Sequence, residues 1–392
     1  MQPSVSSPRI LDIGTAVPPH RCTRSQSLEF ARQVLAGDPR TMAFAERVIE
    51  GSEIDCRHTV VADFGLPLEQ RTFFGRSQDF RPEPTTARRN QIFEREAAVL
   101  ALEACRALSP EPWQSRVTHL LTASCTGFSA PGFDVTLART LGLSPRVQRT
   151  HVGFMGCFAG FSTLRLASQI CAADPSALVL IAHVELCSLH IRLGNDPEAV
   201  VANCIFSDGA AAALVGTSRQ DGLGQHPPLT LVGAGSFLLP EGDGDMTWSI
   251  GDYGFRMTLS PRVPHLLSKY LPAALETLLQ ENGVPRDSVR HWAVHPGGAA
   301  IVRHAERALG LASTDLALAR ELLRSHGNMS SATLWFLLDR IRREPVPGVV
   351  YGCGFGPGLT LESALLMKGH WKGPLDPPRA STAGRSPSAL SD

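Results

Sequence analysis

Cys157 stands directly behind Gly156 in the stretch THVGFMGCFAGFSTLRLA, residues 150–167. Residues 146–154 have the character of a strand. Phe161, Leu164, Leu166 and Ile170 then recur at helical spacing. The thiol is therefore expected at a strand-to-helix junction, close to a helix N-terminus. The partial positive charge of such an end favours a thiolate, and the thiolate is the nucleophile. Gly156 and Gly160 would let a substrate and neighbouring backbone come close. The arrangement is like a nucleophile elbow with sulfur in place of oxygen. A cysteine in such a place also serves as a small apolar filler, so this stretch does not decide by itself.

Three further stretches carry candidate chemistry. In HWAVHPGG, residues 291–298, His295 ends an apolar strand at a loop, where sites form. A packed histidine is the plain alternative. In SHGNMSSAT, residues 325–333, Asn328 falls just before or at a helix start. It suits an N-cap or a hydrogen-bond donor beside His295. GCGFGPGLTLES, residues 352–363, is expected as a loop whose glycine-dense backbone folds tightly against a site.

These residues need a frame. RILDIGTAVP, VTHLLTASCTG, ALVLIAHVELCSL and AAAALVGTS read as strands in the first part of the chain. SQSLEFARQVLAG, MAFAERVIEG and RNQIFEREAAVLALEACRALS read as helices. RQDGLGQHPP has the Gly and Pro content of a connector. A second alternation of strand and helix follows it. The expected class is α/β, with a parallel or mixed sheet covered by helices. The expected division is a first half at 1–219, a connector at 220–228 and a second half at 229–370. Residues 371–392, rich in Pro and Ser, read as a disordered tail.

Composition excludes some functions. Of 392 residues 43% are hydrophobic and 19% charged, enough for a substantial core, and the formal net charge is zero. No basic footprint for nucleic acid or an anionic membrane is visible. No run is long enough to span a bilayer, and the first residues lack a secretory leader. Nine cysteines without paired spacing argue for reduced thiols in a cytoplasm rather than disulfides or a zinc site.

Taken together, GCFAGFSTLRLA, FSDGAAAALVG, HPGG, GNMSSAT and GFGPG occur in an order and spacing that resemble the type III polyketide synthases, the chalcone synthase-like enzymes. The resemblance spans about Arg9 to Lys368. It implies a thiolase fold of two similar halves stacked as a five-layer αβαβα core. It also implies Cys157 as nucleophile with His295 and Asn328 as partners. Phe206 matches the first of two entrance phenylalanines, and Met257 replaces the second. Cys125, Cys187, His190, Ser330 and Pro357 match cavity positions. Trp248 stands where the plant enzymes have a glycine, at the wall of an aromatic-starter pocket. Ala130 replaces a residue that reaches across a dimer interface. Arg47 matches one coenzyme A phosphate-binding cation, whereas Phe44 and Gly51 replace lysines. Arg57 and nearby cations are candidates to compensate.

The implied activity joins an acyl starter to malonyl units, both as coenzyme A thioesters, with no further cofactor and no metal. The segment MTWSIGDYGFRM resembles alkylpyrone and alkylresorcinol synthases, so a medium- or long-chain aliphatic starter is expected, in a homodimer. The alternatives are an aromatic or malonyl starter, or a ketoacyl synthase of the fatty-acid initiating type. HPGG and GFGPG speak against the last. A papain-like protease would share the order Cys, His, Asn but lacks its local signature here. A thiolase-fold binding module would not need all three reactive residues.

Overall fold

The computed structural model describes residues 7–110, 112–220 and 222–369. The tail expected at 371–392 lies outside the described residues. The strands are β1 (Arg9–Ala16), β2 (His20–Thr23), β3 (Cys56–Thr59), β4 (His119–Ser124), β5 (Gln148–Gly153), β6 (Val179–Leu186) and β7 (Asp208–Gly216), then β8 (Leu229–Leu238), β9 (Met246–Gly251), β10 (Gly254–Leu259), β11 (Val289–Val294), β12 (Gly348–Gly356) and β13 (Thr360–Lys368). The helices are α1 (Arg24–Val34), α2 (Pro39–Gly51), α3 (Thr86–Arg106), α4 (Phe133–Thr140) and α5 (Ala159–Ala173), then α6 (Pro197–Ile205), α7 (Val263–Glu281), α8 (Ala299–Leu309), α9 (Ala317–His326) and α10 (Thr333–Arg343).

Nine strands hydrogen-bond in the order β11-β12-β13-β8-β1-β7-β6-β4-β5. The order repeats itself. β1-β7-β6-β4 runs antiparallel, antiparallel, parallel, and so does β8-β13-β12-β11. The two runs meet where Arg9 and Ile10 of β1 pair with Thr230 and Leu229 of β8. The sheet is thus mixed and built from two similar halves, as expected.

The helices form three layers around it. α3 packs on β1, β6 and β7. α5 and α10 lie between the halves, with α5 touching β4, β6, β7, β8 and β13 and α10 touching β1, β7 and β11. α7 covers β8 and β13 from outside, backed by α8. The result is the αβαβα stack of the thiolase fold. Strands covered on both faces need no alternation: every residue of β6 and β7 is buried, and both are apolar but for His183, Glu185 and Asp208. β5, at the sheet edge, is mostly exposed.

Local signals start the helices that flank the site. Thr23 and Gln26 close a capping box at α1. Asp38 and Asp196 cap α2 and α6, each followed by a proline at the first helical position.

The stretch GCGFG corrects one expectation. It is the C-terminal half of β12, and only residues 357–359 of the expected loop form a turn before β13. A Cβ on Gly352 or Gly354 would meet the Phe161 ring at 3.0 or 2.8 Å. The glycines let the aromatic core of α5 press onto the strand, and so serve the helix that follows Cys157.

Candidate active site

Cys157 lies two residues ahead of α5. The capping residue of that helix, Phe158, makes no side-chain cap, so first-turn N–H groups are left without a side-chain acceptor there. Gly156 turns the chain with φ of 82°, and a Cβ on it would meet Pro357 Cδ at 2.6 Å. Its N–H donates to Cys125 Sγ at 2.9 Å, which fixes the turn.

Asn328 comes from the other half. It does not cap a helix. α9 stops at His326, and Asn328 bridges in parallel to Phe206, its N–H donating to Ile205 O and its O accepting from Ser207 N–H, both at 2.9 Å. Its Oδ1 accepts from Ser330 N–H at 2.8 Å. That bond orients the amide, whose Nδ2 lies 3.3 Å from Gly297 O and 3.9 Å from Cys157 Sγ. One N–H serves the carbonyl and the other faces the thiol. His295 follows β11, buried, and neither ring nitrogen has a hydrogen-bond partner. An unpartnered buried imidazole is costly, so it needs a reason to be there. It lines the same cavity as Cys157 and Asn328.

Burial works against the thiolate that a helix end favours. Burial pushes the Cys157 thiol up to about 11, although Ser330 and Asn328 pull it back through hydrogen bonds. Burial also pushes His295 down to about 4, against a smaller upward pull from the Asn328 amide. The resting pair is a neutral thiol and a neutral imidazole, because desolvation outweighs the helix end.

The cavity is about 570 Å³ and mostly apolar. Besides the three reactive residues it is lined by Cys125, Cys187, His190, Phe206, Trp248, Met257, Ser330 and Pro357, with Arg47 at the exposed mouth. Trp248 is a fixed wall. Its Nε1–H donates to Cys125 O at 2.6 Å, and its ring stands edge-on to His190 and Phe255. His190 is stacked on Phe255 at 4.1 Å; its Nε2 is 2.7 Å from Thr126 O and its Nδ1 accepts from Phe255 N–H at 3.1 Å. Phe255 escaped the sequence reading, although the GDYGF turn announced a hairpin strand behind it.

The structure places two more of the residues singled out in the sequence. Ala130, expected where a residue reaches across a dimer interface, does not line this chain's own cavity. The loop after β4 carries it to the surface, where it lines a separate depression with Glu94, Pro131 and Thr136. Arg57 is not a free cation at the mouth. It is buried and donates to Asn203 O and, at 3.0 Å, to Phe206 O, closing the end of α6. Besides Arg47, the exposed cations that line the cavity are Arg256 of β10 and Arg303 of α8, the latter paired with Glu53 at 2.6 Å. All nine cysteines are unpaired thiols, and no helix among the described residues is long and apolar enough to cross a membrane.

The family model for the N-terminal domain of chalcone and stilbene synthases matches residues 2–219. The model for the C-terminal domain matches residues 230–369. The chain belongs to the chalcone and stilbene synthase family, the type III polyketide synthases. Its solved relatives are of this kind. PKS-I from the brown alga Ectocarpus siliculosus is 29% identical with a TM-score of 0.83, over 92% of this chain and 98% of that one. The C-terminal type III polyketide synthase domain of Steely1 from Dictyostelium is 27% identical with a TM-score of 0.84, over 92% and 99%. A fungal type III polyketide synthase, ORAS, is 26% identical with a TM-score of 0.81, over 92% and 100%.

Proposed function

We propose that this type III polyketide synthase condenses a medium- or long-chain aliphatic acyl-CoA with malonyl-CoA, and releases an alkylpyrone or alkylresorcinol. One observation carries the reading: an apolar cavity joins a cationic mouth, Arg47 and Arg303, to a thiol that faces a side-chain amide and an unpartnered imidazole.

The steps follow from these groups. Cys157 passes its proton to the neutral His295 and attacks the starter thioester, and the coenzyme A thiolate leaves and takes that proton, which restores the neutral imidazole. Malonyl-CoA then loses carbon dioxide. The electron pair of the broken C–C bond moves onto the thioester oxygen. The free N–H of Asn328 and an N–H of His295 stabilise that enolate. Its carbon attacks the acyl thioester, and the Cys157 thiolate departs for another round. The neutral imidazole suits this role, since it donates a hydrogen bond without placing a full charge beside the carboxylate it must release.

The aliphatic starter is supported by the cavity wall. Trp248, held by Cys125 O and two rings, occupies the space of a flat aromatic starter. Met257, half-buried at the entrance, is unbranched and adapts to a chain. Each methylene buried would add about 0.8 kcal/mol of binding. Incubation with a panel of acyl-CoAs and malonyl-CoA, read by product mass, tests this. The expected result is a higher kcat/KM for long aliphatic starters than for coumaroyl-CoA. The reverse order would sink the starter assignment.

A further inference from the structure

The hairpin that walls the cavity has no other strand to lean on. Among the described residues β9 and β10 pair only with each other, with Trp248 opposite Met257 and Gly251 opposite Gly254. Trp248 and Met257 both line the cavity. The turn at the tip is exposed at Asp252 and Tyr253. A two-stranded ribbon is marginal by itself, so its shape must be fixed from outside.

Much of that support comes from one residue, the first of α3. Thr86 N–H is one of the donors that a helix start leaves free, and it donates to Asp252 O at 2.8 Å. The Thr86 hydroxyl accepts from Gly254 N–H at 2.8 Å and is in close contact with Gly251 O. One placement of the hydrogens satisfies these contacts. A carbonyl only accepts and a backbone N–H only donates, so the single hydroxyl hydrogen goes to Gly251 O and a lone pair takes Gly254 N–H. Thr86 thus holds both ends of the turn, one on each strand. Arg89, three residues on and wholly buried, fills the space behind it: a Cβ on Gly254 would meet Arg89 Cδ at 3.0 Å. Arg89 also donates to Leu189 O and, at 2.9 Å, to Ile191 O. The first turn of α3 therefore carries the hairpin and also the segment of Cys187 and His190. The two walls join where Phe255 N–H donates to His190 Nδ1.

We propose that Thr86 is a positioning residue for starter selection: its hydroxyl latches the β9–β10 turn to α3 and so sets where Trp248 and Met257 stand. The proposal rests on the reading of this hairpin as the starter wall. Thr86 does not itself line the cavity. Trp248 is three residues from Gly251, and Met257 three from Gly254, so a turn that lifts carries both with it. The indole bond to Cys125 O fixes one side chain, whereas the latch fixes the backbone of both strands. Cys157, His295 and Asn328 stand on other elements and do not depend on it.

The test is starter selectivity. Thr86→Val removes the hydroxyl but keeps the shape and the N–H. It should raise kcat/KM for coumaroyl-CoA about fivefold relative to a long aliphatic acyl-CoA, chiefly through a higher KM for the aliphatic starter. Malonyl-CoA decarboxylation, read as carbon dioxide release without a starter, should stay within about twofold of the wild type. Thr86→Ser keeps the hydroxyl and should restore the wild-type ratio. Thr86→Ala, which lacks both hydroxyl and bulk, should match Thr86→Val, so either variant decides if the other does not fold. Hydrogen exchange should quicken across residues 246–259 in Thr86→Val and stay unchanged in β6 and β7. A ratio that moves in Trp248→Gly but not in Thr86→Val or Thr86→Ala overturns the latch and leaves the wall standing. Decarboxylation that falls in step with kcat/KM for both starters also overturns it, because a general loss of structure does the same. A ratio that Trp248→Gly does not move removes the wall itself, and with it any part of Thr86 in choosing the starter.

Discussion

The roles proposed for Cys157, His295 and Asn328 depend on what their surroundings withhold from them. The half-buried thiol and the buried imidazole are both desolvated by the apolar cavity, so both rest uncharged. The reactive thiolate is formed when it is needed rather than stored. Below a pKa of about 11 the thiol form dominates, so Cys157 alkylation in the free enzyme should climb nearly tenfold per unit between about pH 7 and 9. A rate that is flat across neutral pH would mean a preformed ion pair and would contradict this. Cys157→Ala should abolish condensation, and acyl label should be absent from Cys125 and Cys187. His295→Ala and Asn328→Ala should each slow malonyl-CoA decarboxylation by about a hundredfold to a thousandfold, measured as carbon dioxide release. Unchanged release in both variants would mean that their role is misread.

At the scale of elements, the site depends on how closely α5 approaches β12 and on how the β9–β10 hairpin is pinned. Gly354→Ala would push a methyl to 2.8 Å from the Phe161 ring, on the first turn behind Cys157. Overpacking of this kind costs about 1–3 kcal/mol, read as a lower urea midpoint, with activity falling as α5 shifts. The hairpin carries Trp248, Phe255 and Met257, and packs against His190. Trp248→Gly should open the wall and raise kcat/KM for coumaroyl-CoA about tenfold relative to a long aliphatic starter. If the ratio does not move, Trp248 is not what selects the starter.

For the whole molecule, the face that bears the β4–α4 loop is unfinished. Phe128 is 48% exposed and Met155 39%, next to the mostly exposed edge strand β5. Large apolar side chains in such a place are usually covered, and an unpaired edge invites a partner. A two-fold homodimer is the expected state, with Ala130 and Pro131 at the contact. Only monomer in sedimentation at micromolar concentration would refute it. Buried titratable groups also shape stability. Burial holds His183, His190, His295 and His326 down to between about 3 and about 4. Below their ordinary value of 6.5 the unfolded chain takes up protons that the folded chain refuses, so these histidines remove stability as pH falls from about 6.5 to about 4. Glu185 and Asp208, raised to about 7 and about 6, act in the opposite sense, losing stability as pH rises through 4 to 7. Four groups against two predict a lower Tm at about pH 5 than at pH 7. A higher Tm at the acid value would contradict the balance.

The sequence by itself determined the reactive residue types, their order, the family they belong to and the buried strands that frame them. Those are local signals: apolar runs, helical spacing, capping residues and short motifs. Only the tertiary structure decided which of them meet. Cys157 and Asn328 are 171 residues apart and come together because α5 and the β6-side turn before α10 share the central layer. It also decided which cations face the mouth. Arg57 and Arg303 look alike in sequence, but one is folded under the end of α6 and the other stands on an exposed turn of α8. The charge states were beyond the sequence for the same reason. Desolvation of Cys157, His295 and Glu185 is a sum over neighbours from distant elements, and no stretch of chain contains that sum.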